Sequence, residues 1–178
     1  MAAGRALKTE EIQALEAAEC TCADWSKVTV AEDFEVKRVR NVEFVGEVSI
    51  GKLSGTVSAE AGVVLPAELR DATIVDCEIG DDVRISNISG YLANYRIQKG
   101  AFISGVGVMA TAPGATFGNG VELETHNEGG GREVKIFNEM SSQFAYLFAE
   151  HRYRPKMIES MDKMVADYIS KVKSDRGT

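Results

Sequence analysis

The chain has 178 residues, a length suited to one domain of ordinary size, and its 44% apolar and 26% charged content is enough for a packed core. Its net charge of -7 argues against a nucleic-acid partner, which would require a basic face. No run reaches the roughly 18 apolar residues that span a bilayer, and the opening "MAAGRALKTEEI" lacks the apolar core of a signal peptide. No membrane partner and a cytoplasmic location are therefore expected.

Residues 1–24 are predicted to be an N-terminal helical segment. Thr9 caps a short helix whose first turn carries Glu10 and Glu11, and Ile12 and Leu15 form its buried face. Cys20 and Cys22 follow as a C-x-C pair. With Cys77 they make three cysteines, an odd number without framework spacing. A metal centre would need more ligands than these and the two histidines, His126 and His151, so no metal is expected and the thiols are read as reduced and partly buried.

From Trp25 the chain changes character. "KVTV", "NVEFVGEVSIG" and "DATIVDCEIG" are β-branched, alternate in polarity and are interrupted by glycine, so residues 25–137 are predicted to be β-rich. Shifting the sequence by 18 residues superposes "TIVDCEIGDDVRISNI" on "YLANYRIQKGAFISGV". Ile74 then falls on Leu92, Asp76 on Asn94, Ile79 on Ile97, Val83 on Ala101, Ile85 on Ile103 and Ile88 on Val106. A third copy, "FGNGVEL", follows at an offset of 20, and a weaker one, "VSAEAGV", begins at Val57.

Apolar residues recur after six within a copy, which fits no helix. A chain that turns three corners in 18 residues returns above its starting point and stacks like side chains on like. Stacked parallel coils are expected from about Arg40 to Leu123. One inward column would hold Ile79, Ile97 and Phe117, and another Ile85, Ile103 and Leu123. Short antiparallel strands with glycine turns would also space apolar residues by about six, but not in this register.

"I-G-D-D-V-R-I" resembles the hexapeptide repeat of left-handed parallel β-helix proteins, among them acyltransferases and the tail domains of sugar-nucleotide pyrophosphorylases. The fold class implied is mainly β, a left-handed parallel β-helix with a short N-terminal helix and a C-terminal helical pair. The left hand is implied by the resemblance; chain physics alone favours right-handed crossovers. The resemblance also implies a homo-oligomer, most simply a trimer. "EEIQALEAAECTCADWSKVTV", "FGNGVELETHNEGGGREVKIF" and "HRYRPKMIE" further resemble an uncharacterised bacterial family of much longer proteins, sometimes labelled pyrophosphorylase-like or transferase-like. A pyrophosphorylase needs a glycine-rich nucleotide loop after a strand, and "GEVSIGKLSG" fits no such motif.

Residues 138–178 are predicted to be helices packing on the coils. Ser141 is the N-cap of "SQFAYLFAE", and Pro155 opens a second helix with the stripe Met157, Ile158, Met161, Met164, Val165, Tyr168 and Ile169.

Three clusters bear chemistry-capable groups. In "HNEGGGREV", His126 would serve as a catalytic general base, with Asn127, Gly129, Gly130, Gly131 and Arg132 binding an anion. The same glycines would equally serve as a loop leaving the β-region. In "HRYRPK", Arg152 and Arg154 would hold a phosphate or carboxylate, or simply complement a helix C-terminus. Asp76, Asp81, Asp82 and Asn94 are expected at solvated corners, with no catalytic role. Two functions fit: a transferase-like protein binding a sugar nucleotide or acyl-CoA, and a non-catalytic structural or oligomerisation module. No cofactor is indicated.

Overall fold

The computed structural model describes residues 4–123 and 133–178. It is mainly β with three α-helices among the described residues, and its sheets are open rather than closed. The chain divides into two compact units. One comprises the chain to Ala112 together with Arg176–Thr178, the other Pro113–Asp175.

The first unit opens with β1 (Arg5–Ala6) and α1 (Thr9–Ala17), then β2 (Thr21–Cys22), β3 (Val28–Val30), β4 (Val39–Val45) and β5 (Val48–Ile50). After these come β6 (Thr56–Ser58), β7 (Val64–Pro66), β8 (Glu68–Val75), β9 (Glu78–Ile79) and β10 (Arg84–Ser86). The unit continues through β11 (Leu92–Ala93), β12 (Arg96–Ile97), β13 (Phe102–Ser104) and β14 (Met109–Ala110).

Apart from β6 and β7, these strands build three parallel ladders. The first runs β3-β5-β9-β12, with β1 antiparallel on its outer edge. The second joins the start of β4 and β8 to β10 and β13, and the third joins the rest of β4 and β8 to β2, β11 and β14. β4 and β8 serve two ladders because each bends at one residue, Asn41 (φ 49°) and Asp71 (φ 51°). Asn and Asp tolerate this left-handed conformation better than branched residues do. Parallel pairing throughout the stack excludes the antiparallel sandwich.

Inward side chains stack as columns: Val30, Ile50, Ile79 and Ile97; Val39, Leu69, Ile85 and Ile103; Phe44, Ile74, Leu92 and Met109. Nearly all are buried, and Leu15 of α1 joins the same core. The registers Ile74–Leu92, Ile79–Ile97 and Ile85–Ile103 are those of the 18-residue shift.

Three expectations are corrected. The stack begins at Thr21, earlier than Arg40, and its last rung ends at Ala110 rather than Leu123. "FGNGVEL" is no further copy. Phe117 is half exposed with φ 53°, just ahead of positive-φ turns at Gly118 and Gly120, and Leu123 pairs antiparallel with Val134. "VSAEAGV" lies in an antiparallel hairpin, β6–β7, inserted at a corner. Its feet close on each other, with Ala67 N–H donating to Gly55 O at 3.0 Å. That insertion is why Thr73 follows its neighbour Glu43 by 30 residues, whereas Ser104 follows Ser86 by 18. The cap of α1 also moves by one residue. Thr9 is the first helical position, and the Glu11 carboxylate reaches back to the Lys8 N–H at 2.8 Å.

Gly177 adds one more bridge to the first ladder, parallel to Tyr95. Arg96 N–H donates to Gly177 O at 2.7 Å, and Gly177 N–H to Asn94 O at 3.0 Å. Glu78 holds both Arg96 (2.8 Å) and Arg176 (2.9 Å).

In the second unit, β15 (Glu122–Leu123) pairs with β16 (Val134–Lys135), followed by α2 (Ser142–Glu150) and α3 (Pro155–Val172). Ser141 caps α2 by accepting the Phe144 N–H at 3.1 Å, and Pro155 opens α3, as the sequence predicts. Phe137 packs edge-on against Phe144 at 5.2 Å and Tyr168 at 5.4 Å, and Met161 and Val165 are buried. Met164, assigned to the same stripe, is instead 46% exposed.

Candidate functional site

Aspartates govern the corners of the stack. Asp76 Oδ1 accepts the Glu47 N–H at 2.9 Å, Asp81 Oδ1 the Lys52 N–H at 2.9 Å, and Asp82 Oδ1 the Gly55 N–H at 2.8 Å. Each carboxylate lies over a glycine of the preceding turn: Gly46, Gly51 and Gly55 respectively. A Cβ on Gly51 would approach Asp81 Oδ1 to 2.6 Å and the Gly80 carbonyl carbon to 2.7 Å. Asn41 extends the pattern by donating to Asp71 Oδ1 at 2.8 Å, which holds the Asp71 carboxyl below its ordinary range. Asp76, Asp81 and Asp82 thus each accept a backbone N–H of the preceding turn.

The stacking of these corners leaves a trough of about 570 Å³ along the outside of the first ladder. Strand alternation points Thr29, Ser49, Glu78 and Arg96 outward in one column. The next column is Ala31, Gly51, Gly80 and Gln98, in which the first three positions carry a methyl group or no side chain. A Cβ on Gly80 would lie 2.8 Å from Lys99 N, so the rung above forbids one. Thr29, Ser49 and Arg96 line one side of the trough, and Asp33, Lys52, Asp81 and Lys99 the other.

Electrostatics tie the trough's charged groups in pairs. Lys52 and Asp33 meet at 2.7 Å; this hydrogen bond lowers the Asp33 carboxyl from its ordinary value and raises the Lys52 ammonium. Arg96 is raised by Glu78, which it lowers in turn. No hydrogen bond within the protein engages Thr29 Oγ1, Ser49 Oγ, the Gln98 side-chain amide or Lys99 Nζ among the described residues.

The two cationic and glycine-rich clusters of the sequence fare differently. His126, Asn127, Gly129, Gly130, Gly131 and Arg132 lie outside the described residues. Arg152 and Arg154 are exposed between α2 and α3. Arg154 is the N-cap of α3, with its guanidinium 5.5 Å from the Tyr153 ring centroid, and His151 closes the C-terminus of α2. They share one turn of chain, the Arg154 N–H donating to His151 O at 2.8 Å. Among the described residues no group of three His, Cys, Asp or Glu side chains is placed to hold a metal, and no helix is long and apolar enough to cross a membrane.

The trough escaped sequence reading because its floor is made of residues without chemistry. "GK" at Gly51 and "GDD" at Gly80 looked like turns, and only the ladder register brings them together.

The family model described as a domain of unknown function, DUF4954, matches residues 4–178. An uncharacterized protein of Treponema pallidum (strain Nichols) is 28% identical over 173 residues, which are 91% of this chain and 24% of that relative. The chain thus spans about a quarter of the length of the curated relative it matches. No solved structure matches it.

Proposed function

Since the chain belongs to the DUF4954 family of unknown function, we propose that it is a structural module: a left-handed parallel β-helix of the hexapeptide-repeat kind that assembles with copies of itself, most simply as a trimer. Three parallel ladders with left-handed corner residues support the β-helix. The observation that carries assembly is on the third ladder. Val45, Val75, Ala93 and Ala110 stand in one outward column across four rungs. Tyr91 (43% exposed) and Val108 (58% exposed) extend this flat, apolar strip. Flat faces of this kind suit closed symmetric contacts, and an exposed apolar strip is more often a contact than bare surface.

Light scattering at high micromolar concentration tests the reading. The expected mass is that of a trimer, and Val75→Lys with Ala93→Lys should reduce it to a monomer whose thermal midpoint is nearly unchanged. A monomeric parent chain would sink the proposal.

The transferase-like alternative, with His126 as base and a sugar nucleotide or acyl-CoA as ligand, rests on the sequence and its resemblance. Alanine at His126 and Arg132 tests it. Undiminished binding of those ligands by both variants places any such site elsewhere.

A further inference from the structure

We propose that the trough on the first ladder binds a neutral oligosaccharide, its sugar rings lying along the glycine floor at Gly51 and Gly80 and its hydroxyls meeting Ser49, Asp33, Lys52 and Lys99. Four properties of the trough select this ligand class.

Its volume, about 570 Å³, lies within the range of small-molecule sites. Its floor is apolar in character although it is backbone. The N–H groups of Gly51 and Gly80 donate along the ladder to Ile79 O and Ile97 O, both at 2.8 Å, so they are not free to receive an anion. What the floor presents outward is Cα–H surface, which suits the C–H face of a pyranose.

Charge is balanced. Lys52, Arg96 and Lys99 are matched by Glu32, Asp33 and Asp81 around the same trough. A nucleotide diphosphate would face three carboxylates, and a polyamine three cations. A ligand that carries hydroxyls and no charge meets both donors and acceptors without a desolvated like charge. The unengaged hydroxyls of Thr29 and Ser49 and the ammonium of Lys99 supply further hydrogen-bonding capacity.

Spacing is the fourth property. Rungs repeat at about 4.8 Å along the stack, close to the length of one pyranose unit. Successive rings of a linear glycan would therefore meet equivalent positions on successive turns: Ala31, Gly51, Gly80 and Gln98.

This inference is independent of self-assembly, which involves the third ladder. The test is a titration of the intact chain, followed by heteronuclear NMR, with maltotetraose, cellotetraose and tetra-N-acetylchitotetraose, and with UDP-glucose as an anionic comparison. At least one neutral tetrasaccharide should bind saturably, insensitively to salt, with the largest shifts at Ser49, Gly51, Gly80 and Lys99. Lys99→Ala, an exposed substitution, should weaken binding about tenfold, as expected for one charge-assisted hydrogen bond, and Ser49→Trp should abolish it by filling the trough. Both should keep the parent's thermal midpoint. Should Ser49→Trp unfold the chain, Lys99→Ala decides alone. The proposal is overturned if none of the three neutral sugars binds at millimolar concentration, if Lys99→Ala binds as well as the parent, or if UDP-glucose binds in the trough in preference to them.

Discussion

Asp82 Oδ1 accepts the Gly55 N–H at 2.8 Å and occupies the space a side chain at Gly55 would need, since a Cβ there would come within 2.6 Å of the same oxygen. The glycine is required by its partner on the next turn, and the partner is positioned by the glycine. The same reciprocal fit joins Gly51 to Asp81, with one difference: there the backbone of Gly80 is also in the way.

That difference gives a discriminating prediction. Gly55→Ala should destabilise by about 1–3 kcal/mol, the usual range for overpacking. Adding Asp82→Ala should restore part of the loss, because the obstruction is side chain alone. Gly51→Ala should not be rescued by Asp81→Ala. Urea denaturation of the two double-mutant cycles reads the contrast, and equal rescue in both would contradict it.

Ile79 is fully buried, stacked between Ile50 on one rung and Ile97 on another. Ile79→Ala should cost about 2–5 kcal/mol through lost burial and the cavity left behind. A loss under about 1 kcal/mol in chemical denaturation would mean that the column is not closely stacked.

Acid should weaken the N-terminal region in a defined window. Arg5 grips Glu11 at 2.6 and 2.7 Å, and this hydrogen bond, more than any other influence, holds the Glu11 carboxyl down to about 2 from an ordinary 4.5. A depressed carboxyl stabilises fully above its unfolded value, and the contribution is lost as pH falls through the folded one. The thermal advantage of the parent over Glu11→Gln should therefore shrink between pH 4.5 and 2. A constant difference across that window would count against the pairing.

The inserted hairpin should be dispensable for the stack. Replacing Thr56–Pro66 by a two-residue glycine linker joins Gly55 and Ala67, already hydrogen-bonded at 3.0 Å. The main loss is the buried side chain of Val57, about 1.5–3 kcal/mol. Circular dichroism and a single cooperative melt should be retained; a molten spectrum would show that the hairpin is integral.

The repeat was legible where the chain makes uninterrupted turns. Ile74–Leu92, Ile79–Ile97 and Ile85–Ile103 share one offset, so side chains alone reveal their register. Val39 and Leu69 belong to the same kind of column, but the hairpin between their turns shifts the offset and hides it. Phe117 misled for the opposite reason: its spacing to Leu123 imitates the repeat, while the glycines beside it turn the backbone away. The trough was illegible because glycines signal only that a side chain is absent. What they make room for depends on which turns they join, and that is a tertiary fact.

The bridge at Gly177 has a kinetic side. Arg176 reaches Glu78 across 98 residues of sequence, the kind of contact that forms late and opens first. Yet the N–H of Arg96, on the last strand of the first ladder, donates to Gly177 O. Amide exchange at Arg96 should therefore proceed by local opening of the Gly177 bridge, whereas exchange at Gly80, donating to Ile97 O, needs the ladder itself to part. Two amides on neighbouring turns would report separate clocks, one for fraying and one for the unzipping of the stack.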